Sequence, residues 1–344
     1  MKLLLQDIML RECISMNCYL GIDCGGTKSS FLLTDEMGRL ISVHKGPPAN
    51  YLVNGLMETA EMLKEMVSRI RREDMHGEGR CSCFLALAGY GDIPEEEPRV
   101  AQVMKEAIPS ERLSTGNDTE NAISGSLIGQ SGIHLIAGTG SIGIGVDLDG
   151  KKYRAGGWHH LFGGDEGSGY WIACRLLEHF TKQADGREEK TLLYDLVMKK
   201  LDLKEPEEML TRVIEEWHGS RQKIASLSRT VLEGAEAGDP VCLSIYEEAA
   251  EELAEIAEAV AGKGNFGSQV LVSWSGGVFH SGKVLLDSLK KVLPERYRLM
   301  APFMGPAGGG VLLAMKAEGL DVSKEILETL RETDLQAEKQ IAEG

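Results

Sequence analysis

The sequence predicts an α/β protein of two domains, each a mixed β-sheet flanked by helices. Three observations carry that reading. The chain has 344 residues, about twice the usual single-domain length. Two segments more than a hundred residues apart share one plan: apolar strand, glycine-polar hairpin, apolar strand, Asp-x-x-Gly turn. Helical patterns separate and follow them.

The first copy of the plan begins at Tyr19-Leu-Gly-Ile-Asp23, a strand entering a glycine loop. Ser30-Phe-Leu-Leu-Thr34 leaves that loop, and Asp35-Glu-Met-Gly38 turns into a third strand at Leu40-Ile-Ser-Val43. The second copy runs from Ile133-His-Leu-Ile-Ala137 through Gly138-Thr-Gly-Ser141 to Ile142-Gly-Ile-Gly-Val146, then turns at Asp147-Leu-Asp-Gly150. Phe84-Leu-Ala-Leu-Ala88 and Val270-Leu-Val-Ser273 read as further strands, the latter opening into Ser275-Gly-Gly277. Helical spacing predicts helices over 55–72, 97–107, 121–128, 170–182, 192–200, 207–217 and 239–261, with another from Gly308 onward. The expected division is an N-terminal extension at 1–15, ahead of a second methionine at Met16, one domain at 16–129 and another at 130–344.

Composition excludes several classes. Hydrophobic residues at 42% and charged residues at 26% are globular proportions. A formal net charge of −16, without a basic stripe, argues against tracking a nucleic-acid backbone. Asp7, Arg11 and Glu12 interrupt any signal-like apolar run, and no stretch approaches the roughly 20 apolar residues that span a bilayer. Seven cysteines, an odd number without a Cys-x-x-Cys pair, point to reduced thiols and a cytoplasmic setting. Cys24, Cys81 and Cys83 sit in apolar runs as small hydrophobes.

The 41 glycines are clustered, which marks tight turns or close approach to a ligand. Gly138-Thr-Gly140-Ser-Ile-Gly143 satisfies the dinucleotide fingerprint, but that fingerprint needs a helix where this sequence continues as a strand. The Walker pattern is absent. Hairpins tipped with Gly, Thr and Ser offer another route, because successive amides in tight turns form anion-binding concavities. Each hairpin alone reads as an ordinary turn; two matching ones plus the third loop at Gly276-Gly277 point to a nucleotide clamp. Asp23, just before the first hairpin, is suited to hold Mg²⁺ through water. Lys28 either meets a phosphate or caps the turn.

On these motifs the chain resembles a known family. Gly21-Ile-Asp-Cys-Gly-Gly-Thr-Lys-Ser29, Ile136-Ala-Gly-Thr-Gly-Ser141 and Ser275-Gly-Gly-Val278 look like the two phosphate motifs and the adenosine motif of the actin-like (ribonuclease H-like) ATPase and sugar kinase superfamily. Gly156-Gly-Trp158 followed by Gly164-Asp-Glu-Gly-Ser-Gly-Tyr-Trp-Ile172 is similar to the N-acetylglucosamine kinases, which share the BadF/BadG/BcrA/BcrD ATPase family with activators of redox enzymes. The resemblance covers roughly residues 17 to 315. It implies two actin-like domains with nucleotide and sugar in the cleft between them, ATP and Mg²⁺ as cofactors, and phosphorylation of the 6-hydroxyl of an N-acetylated amino sugar, N-acetylglucosamine first and N-acetylmuramic acid second. Family members often form homodimers.

The resemblance also implies roles. Asp118 matches the base that takes the sugar hydroxyl's proton; its structural alternative is a helix N-cap. Asn50, Gly157, Trp158, Asp165 and Glu166 fall at substrate positions, although Asp165 and Glu166 also read as the acidic first turn of a helix, and Trp158 as a packing residue. Gly25, Gly26, Thr27, Lys28, Gly138, Thr139, Gly140, Ser141, Ala225, Gly276 and Gly277 fall at nucleotide positions. Between Trp158 and Asp165 the chain reads His-His-Leu-Phe-Gly-Gly, one residue longer than the family's spacing. His159 and His160 lack the further ligands a metal needs, and read as loop residues. Two rival readings remain. One is a BadF-type activator ATPase, although the second phosphate loop lacks the cysteine such activators place there. The other is a sugar- or nucleotide-binding regulator without turnover.

Overall fold

A computed structural model describes residues 17–26, 28–75 and 79–343. The expected extension at 1–15 and Thr27 lie outside the described residues. The described residues divide into two compact units, one up to residue 129 together with those from 302 onward, and the other of 130–301.

The first unit is built on a five-stranded sheet in the order β3-β2-β1-β4-β5, from β1 (Asn17–Cys24), β2 (Ser29–Asp35), β3 (Leu40–Gly46), β4 (Arg80–Leu87) and β5 (Arg112–Gly116). β1, β2 and β3 form an antiparallel meander, and β4 and β5 run parallel to β1. In β1 alternate residues face opposite sides. Leu20 and Ile22 join the core on one face with Leu63 and Leu85, whereas Tyr19 joins Val311 and Leu330 on the other. The first face is covered by α1 (Leu56–Glu73) and α2 (Glu97–Ala107). The second is covered by α3 (Asp118–Leu127) and two later helices described below.

The second unit repeats this order with different strands. Its sheet runs β10-β9-β6-β7-β8, where β6 (Gly132–Ala137), β7 (Ser141–Val146) and β8 (Lys152–Gly156) form the meander. β9 (Val270–Ser275) and β10 (Tyr297–Leu299) add in parallel. The helices are α4 (Gly169–Ala184), α5 (Leu192–Leu201), α6 (Arg221–Ala225), α7 (Ser228–Glu236), α8 (Pro240–Ala261) and α9 (Lys283–Val292). Leu135, Ile172, Leu176, Phe180, Leu253 and Val272 are fully buried in one continuous core. The duplicated plan read from the sequence is therefore a duplicated sheet topology. The predicted helix at 207–217 is instead one turn at Glu208–Leu210 followed by a π-helical stretch, Thr211–Glu216.

The second domain was expected to run to residue 344, and the structure corrects this. α10 (Pro306–Ala317) and α11 (Lys324–Glu343) pack in the first unit, α10 against β1 and α3, α11 against β3. The reason is visible at Asp334 of α11, which is 1% exposed. Its carboxylate accepts N–H bonds from Gly305 at 2.6 Å and Gly308 at 2.8 Å, so it caps α10, whose first-turn amides have no intrahelical acceptor. Burial pushes this carboxyl up to about 6 from an ordinary 3.8. A raised acid is favoured folded only while protonated, so its contribution is full below pH 4 and is lost as pH rises through 6. Between pH 5 and 7 the wild-type protein should lose about 1 kcal/mol relative to Asp334→Asn, read by urea unfolding at the two pH values.

Among the described residues no helix is long and apolar enough to cross a membrane. Cys24, Cys81 and Cys83 are buried free thiols, as read from their apolar runs, and burial pushes Cys24 up to about 12.

Candidate active site

In the first unit the predicted residues gather at the carboxyl ends of the parallel strands β1, β4 and β5, the usual ligand edge of an open α/β sheet. Asp23 is the penultimate residue of β1. Asn50 bridges to Ala88 just past β4, and Asp118 follows β5 by two residues. The β1–β2 hairpin closes through Gly25 N–H to the Lys28 carbonyl at 3.0 Å, and Gly25 O in turn accepts from Ala49 N–H at 3.2 Å. That second bond ties the phosphate hairpin to the segment carrying Asn50. Asn50 Oδ1 itself accepts from Leu52 N–H at 3.0 Å and caps the single turn Tyr51–Asn54. Gly26 and Lys28 are exposed at the hairpin tip.

Asp118 does not cap its helix. Asn117 does, accepting from Thr119 N–H at 3.0 Å, while Glu120 accepts from Asn117 N–H at 3.4 Å in a reciprocal capping box. The helix consequently starts at Asp118 rather than at Asn121. Relieved of capping, the Asp118 carboxyl is held up to about 6, first by burial and then by the nearby Asp92, with its own and Thr119's amides pulling it down. Asp23 is pushed up to about 7, again by burial first and then by the charge of Asp118; Asn121 and Lys28 pull the other way. Asn121 Nδ2 donates to both Ile22 O and Asp23 Oδ1 at 3.2 Å. Asn121 stands one turn beyond Asp118 and was not singled out in the sequence. An acidic residue and an amide three apart on a helix are too common to mark a site.

The second unit gathers its own set. The β6–β7 turn closes through Gly138 N–H to the Gly140 carbonyl at 2.8 Å, and the first amides of α4 donate to it, Gly169 to Gly138 O at 2.8 Å and Tyr170 to Thr139 O at 3.3 Å. Gly276, at φ 99°, brings the loop after β9 against Ala137 and Gly138, where a side chain would overlap the backbone. Ala225, at the end of α6, is buried with its carbonyl beside Gly169. Gly276 thus lies against the turn Gly138–Ser141, Ala225 lies beside Gly169, whose amide this turn accepts, and Gly277 follows Gly276 with open space around it.

Asp165 and Glu166 precede α4, whose N-cap is Ser168, so neither forms its first turn. Asp165 adopts a left-handed backbone, φ 66°, and is 5% exposed. It accepts from Ser141 N–H at 3.2 Å and pairs with Arg221 Nη2 at 2.5 Å, a partner the sequence reading missed because 56 residues separate the two. Glu166 is half-buried and anchors the same turn through its backbone carbonyl, which accepts from Ser141 Oγ at 2.6 Å. Trp158 is 72% exposed, which removes the packing alternative. Gly157, at φ 70°, packs its bare Cα against Ile142. In the longer loop His160 stacks edge-on to Tyr170, and burial lowers its imidazole, with His159 and Arg221 adding to the effect.

Two sheets of one topology, each with a glycine hairpin, give the fold of the actin-like ATPases and sugar kinases, and the relatives named below make the chain an ATP-using kinase. The chain matches the BadF/BadG/BcrA/BcrD ATPase family over residues 20–314, and it belongs to that family. It is 30% identical over 308 residues to the N-acetylmuramic acid/N-acetylglucosamine kinase of Clostridium acetobutylicum, covering 87% of this chain and 98% of that one. It is 28% identical to the N-acetyl-D-glucosamine kinase of Dictyostelium discoideum, covering 89% and 100%. Among solved structures, a Chromobacterium violaceum protein provisionally named an N-acetylglucosamine kinase superposes with a TM-score of 0.67 at 25% identity, over 87% of this chain and 99% of that one. The family match stops at residue 314, so α11 and its Asp334 cap lie beyond it.

Proposed function

We propose that the protein transfers the γ-phosphoryl group of ATP to the 6-hydroxyl of an N-acetylated amino sugar, with N-acetylglucosamine and N-acetylmuramic acid as the acceptors. The observation that carries this reading is Asp118. Its capping duty is taken by Asn117, and its carboxyl is poised near 6, so it is ionised at neutral pH yet basic enough to take a hydroxyl proton. The two relatives named for these sugars, which the chain spans almost end to end, support the substrate class. Phosphoryl transfer depends mainly on positioning and charge stabilisation, and the two hairpins supply amides for the phosphates. In this reading Asn50, Gly157, Trp158, Asp165 and Glu166 receive the sugar, Trp158 by offering its exposed face to the ring. Gly25, Gly26, Thr27, Lys28, Gly138 to Ser141, Ala225, Gly276 and Gly277 receive the nucleotide.

Mg²⁺ fits the first unit on its donors. Burial and a neighbouring carboxylate both disfavour ionised Asp23, a strain that a cation would relieve. Among the described residues no group of three potential ligands forms a protein cage. That suits an ion which keeps its waters and is held through one carboxylate and substrate phosphates. When bound, it would neutralise charge on those phosphates.

The test is ADP release with MgATP across glucose, glucosamine, N-acetylglucosamine and N-acetylmuramic acid. Turnover is expected with the acetylated sugars, at least tenfold above glucose in kcat/KM. ADP release indifferent to every sugar would sink the kinase reading and favour a protein-activating ATPase.

A further inference from the structure

The turn between β6 and β7 carries a cation whose place is set by glycine. A side chain at Gly140 would overlap both Arg221 Nη2 and Asp165 Oδ1, so only glycine lets the guanidinium lie against the backbone of that turn. Asp165 holds it there. One carboxylate oxygen takes Arg221 Nη2 at 2.5 Å and the other takes the Ser141 amide at 3.2 Å, so turn, carboxylate and guanidinium form one connected unit. The carboxylate is buried, whereas the Arg221 side chain keeps a third of its surface exposed. Arg221 Nε is shut off from solvent and has no acceptor among the described residues. Guanidinium presents five N–H donors in a planar fork. The bond to Asp165 uses one, which leaves donors beside the amides of a phosphate-type turn.

We propose that Arg221 meets the terminal phosphate of the nucleotide at the β6–β7 turn and stabilises the charge that spreads over its oxygens during transfer. This rests on the ATP-dependent kinase reading. A chain of net charge −16 needs local positive groups to admit a polyphosphate, and Arg221 is a cation fastened to the turn. A planar fork matches the geometry of phosphate oxygens, and a donor aimed at developing charge contributes most when it is fixed in advance. The loop carrying His159 and His160 also borders Arg221, whose charge lowers His160. A carboxylate on the sugar, as in N-acetylmuramic acid, is therefore the competing anion, and the experiment separates the two.

The measurements use the full chain with Arg221→Gln and Arg221→Lys. For each variant kcat is measured with N-acetylglucosamine and with N-acetylmuramic acid, and calorimetry gives the affinities for ADP and a non-hydrolysable ATP analogue. Arg221→Gln should lower kcat about 100-fold with both sugars, the usual effect of losing one such donor. It should weaken the ATP analogue at least tenfold while ADP binding stays within threefold. Arg221→Lys should recover about tenfold of the lost kcat, and its thermal midpoint shows whether the turn still folds. Equal weakening of ADP and ATP analogue would reduce Arg221 to a structural clasp of the turn and overturn the proposal. A defect confined to the carboxylate-bearing sugar would overturn it in favour of sugar recognition. If the wild-type protein phosphorylates no sugar, the kinase reading fails by itself. The ADP against ATP-analogue comparison then still decides whether Arg221 reads the terminal phosphate.

Discussion

Asp118→Asn should lower kcat by about 10³-fold, within the range that positioned general bases contribute, while the sugar KM changes by less than about fivefold. Asparagine preserves the shape of the side chain and can still accept a hydrogen bond from the sugar hydroxyl, but it cannot take the proton. The helix start is untouched, because the Asn117–Glu120 box caps it. With the wild-type carboxyl near 6, kcat/KM should fall about tenfold per pH unit below that value as the base is protonated. Stability moves in the opposite sense. Folded Asp118 is favoured protonated, so the wild-type protein gives up stability as pH rises from 4 through 6. The variant should consequently be at least as stable as wild type at pH 8, which separates lost chemistry from lost fold. A variant that keeps more than a tenth of wild-type kcat, or a pH profile flat from 5 to 8, would remove Asp118 from the base role.

The parts of this molecule that a reader of the sequence can see are those whose partners lie close in the chain. Strand, glycine hairpin, strand is a local pattern, and it appears twice, so the duplicated topology and both phosphate-type turns are legible. Which strands add in parallel, β4 and β5 in one unit and β9 and β10 in the other, depends on pairings across long insertions. Short strands such as β5, β8 and β10 have little periodicity of their own. The return of α10 and α11 to the first unit is carried by Asp334 reaching Gly305 and by glycines meeting glycines, contacts that no local pattern announces. The site follows the same rule. Asp23 and Asp118 are visible from their motifs, yet the Asp118 helix is read as starting late because the Asn-x-x-Glu box at Asn117 goes unweighed. Asp165 is visible too, but Arg221 comes from a different part of the chain and from an unremarkable surface sequence.

Gly309→Ala should cost about 3 to 4 kcal/mol, at the upper end of what overpacking does, and most of the activity with it. The sheet face behind the site is sealed by bare backbone. Gly21 of β1 leaves no room for a side chain beneath Ala307 and Val311 of α10, and Gly125 of α3 leaves none beneath Met304 and Gly305. Gly309 lies between them. A methyl there would overlap the Asn121 carbonyl and come within 2.6 Å of the Gly125 amide nitrogen. All of these neighbours are backbone atoms, so no rotamer change relieves the clash, and the helices must part. Parting them moves Asn121, which ties Ile22 and Asp23 of β1 to the helix that begins at Asp118. The loss should therefore appear in two readouts, a lower urea midpoint and a fall in kcat at temperatures where the variant is still folded. Gly277→Ala is the matched control for stability alone, since a methyl there meets nothing within 4 Å, and its stability should stay within about 0.5 kcal/mol of wild type. Equal stability of the two variants would mean that α10 and α3 can separate freely. The close glycine seam would then not be what holds Asp23 and Asp118 in register.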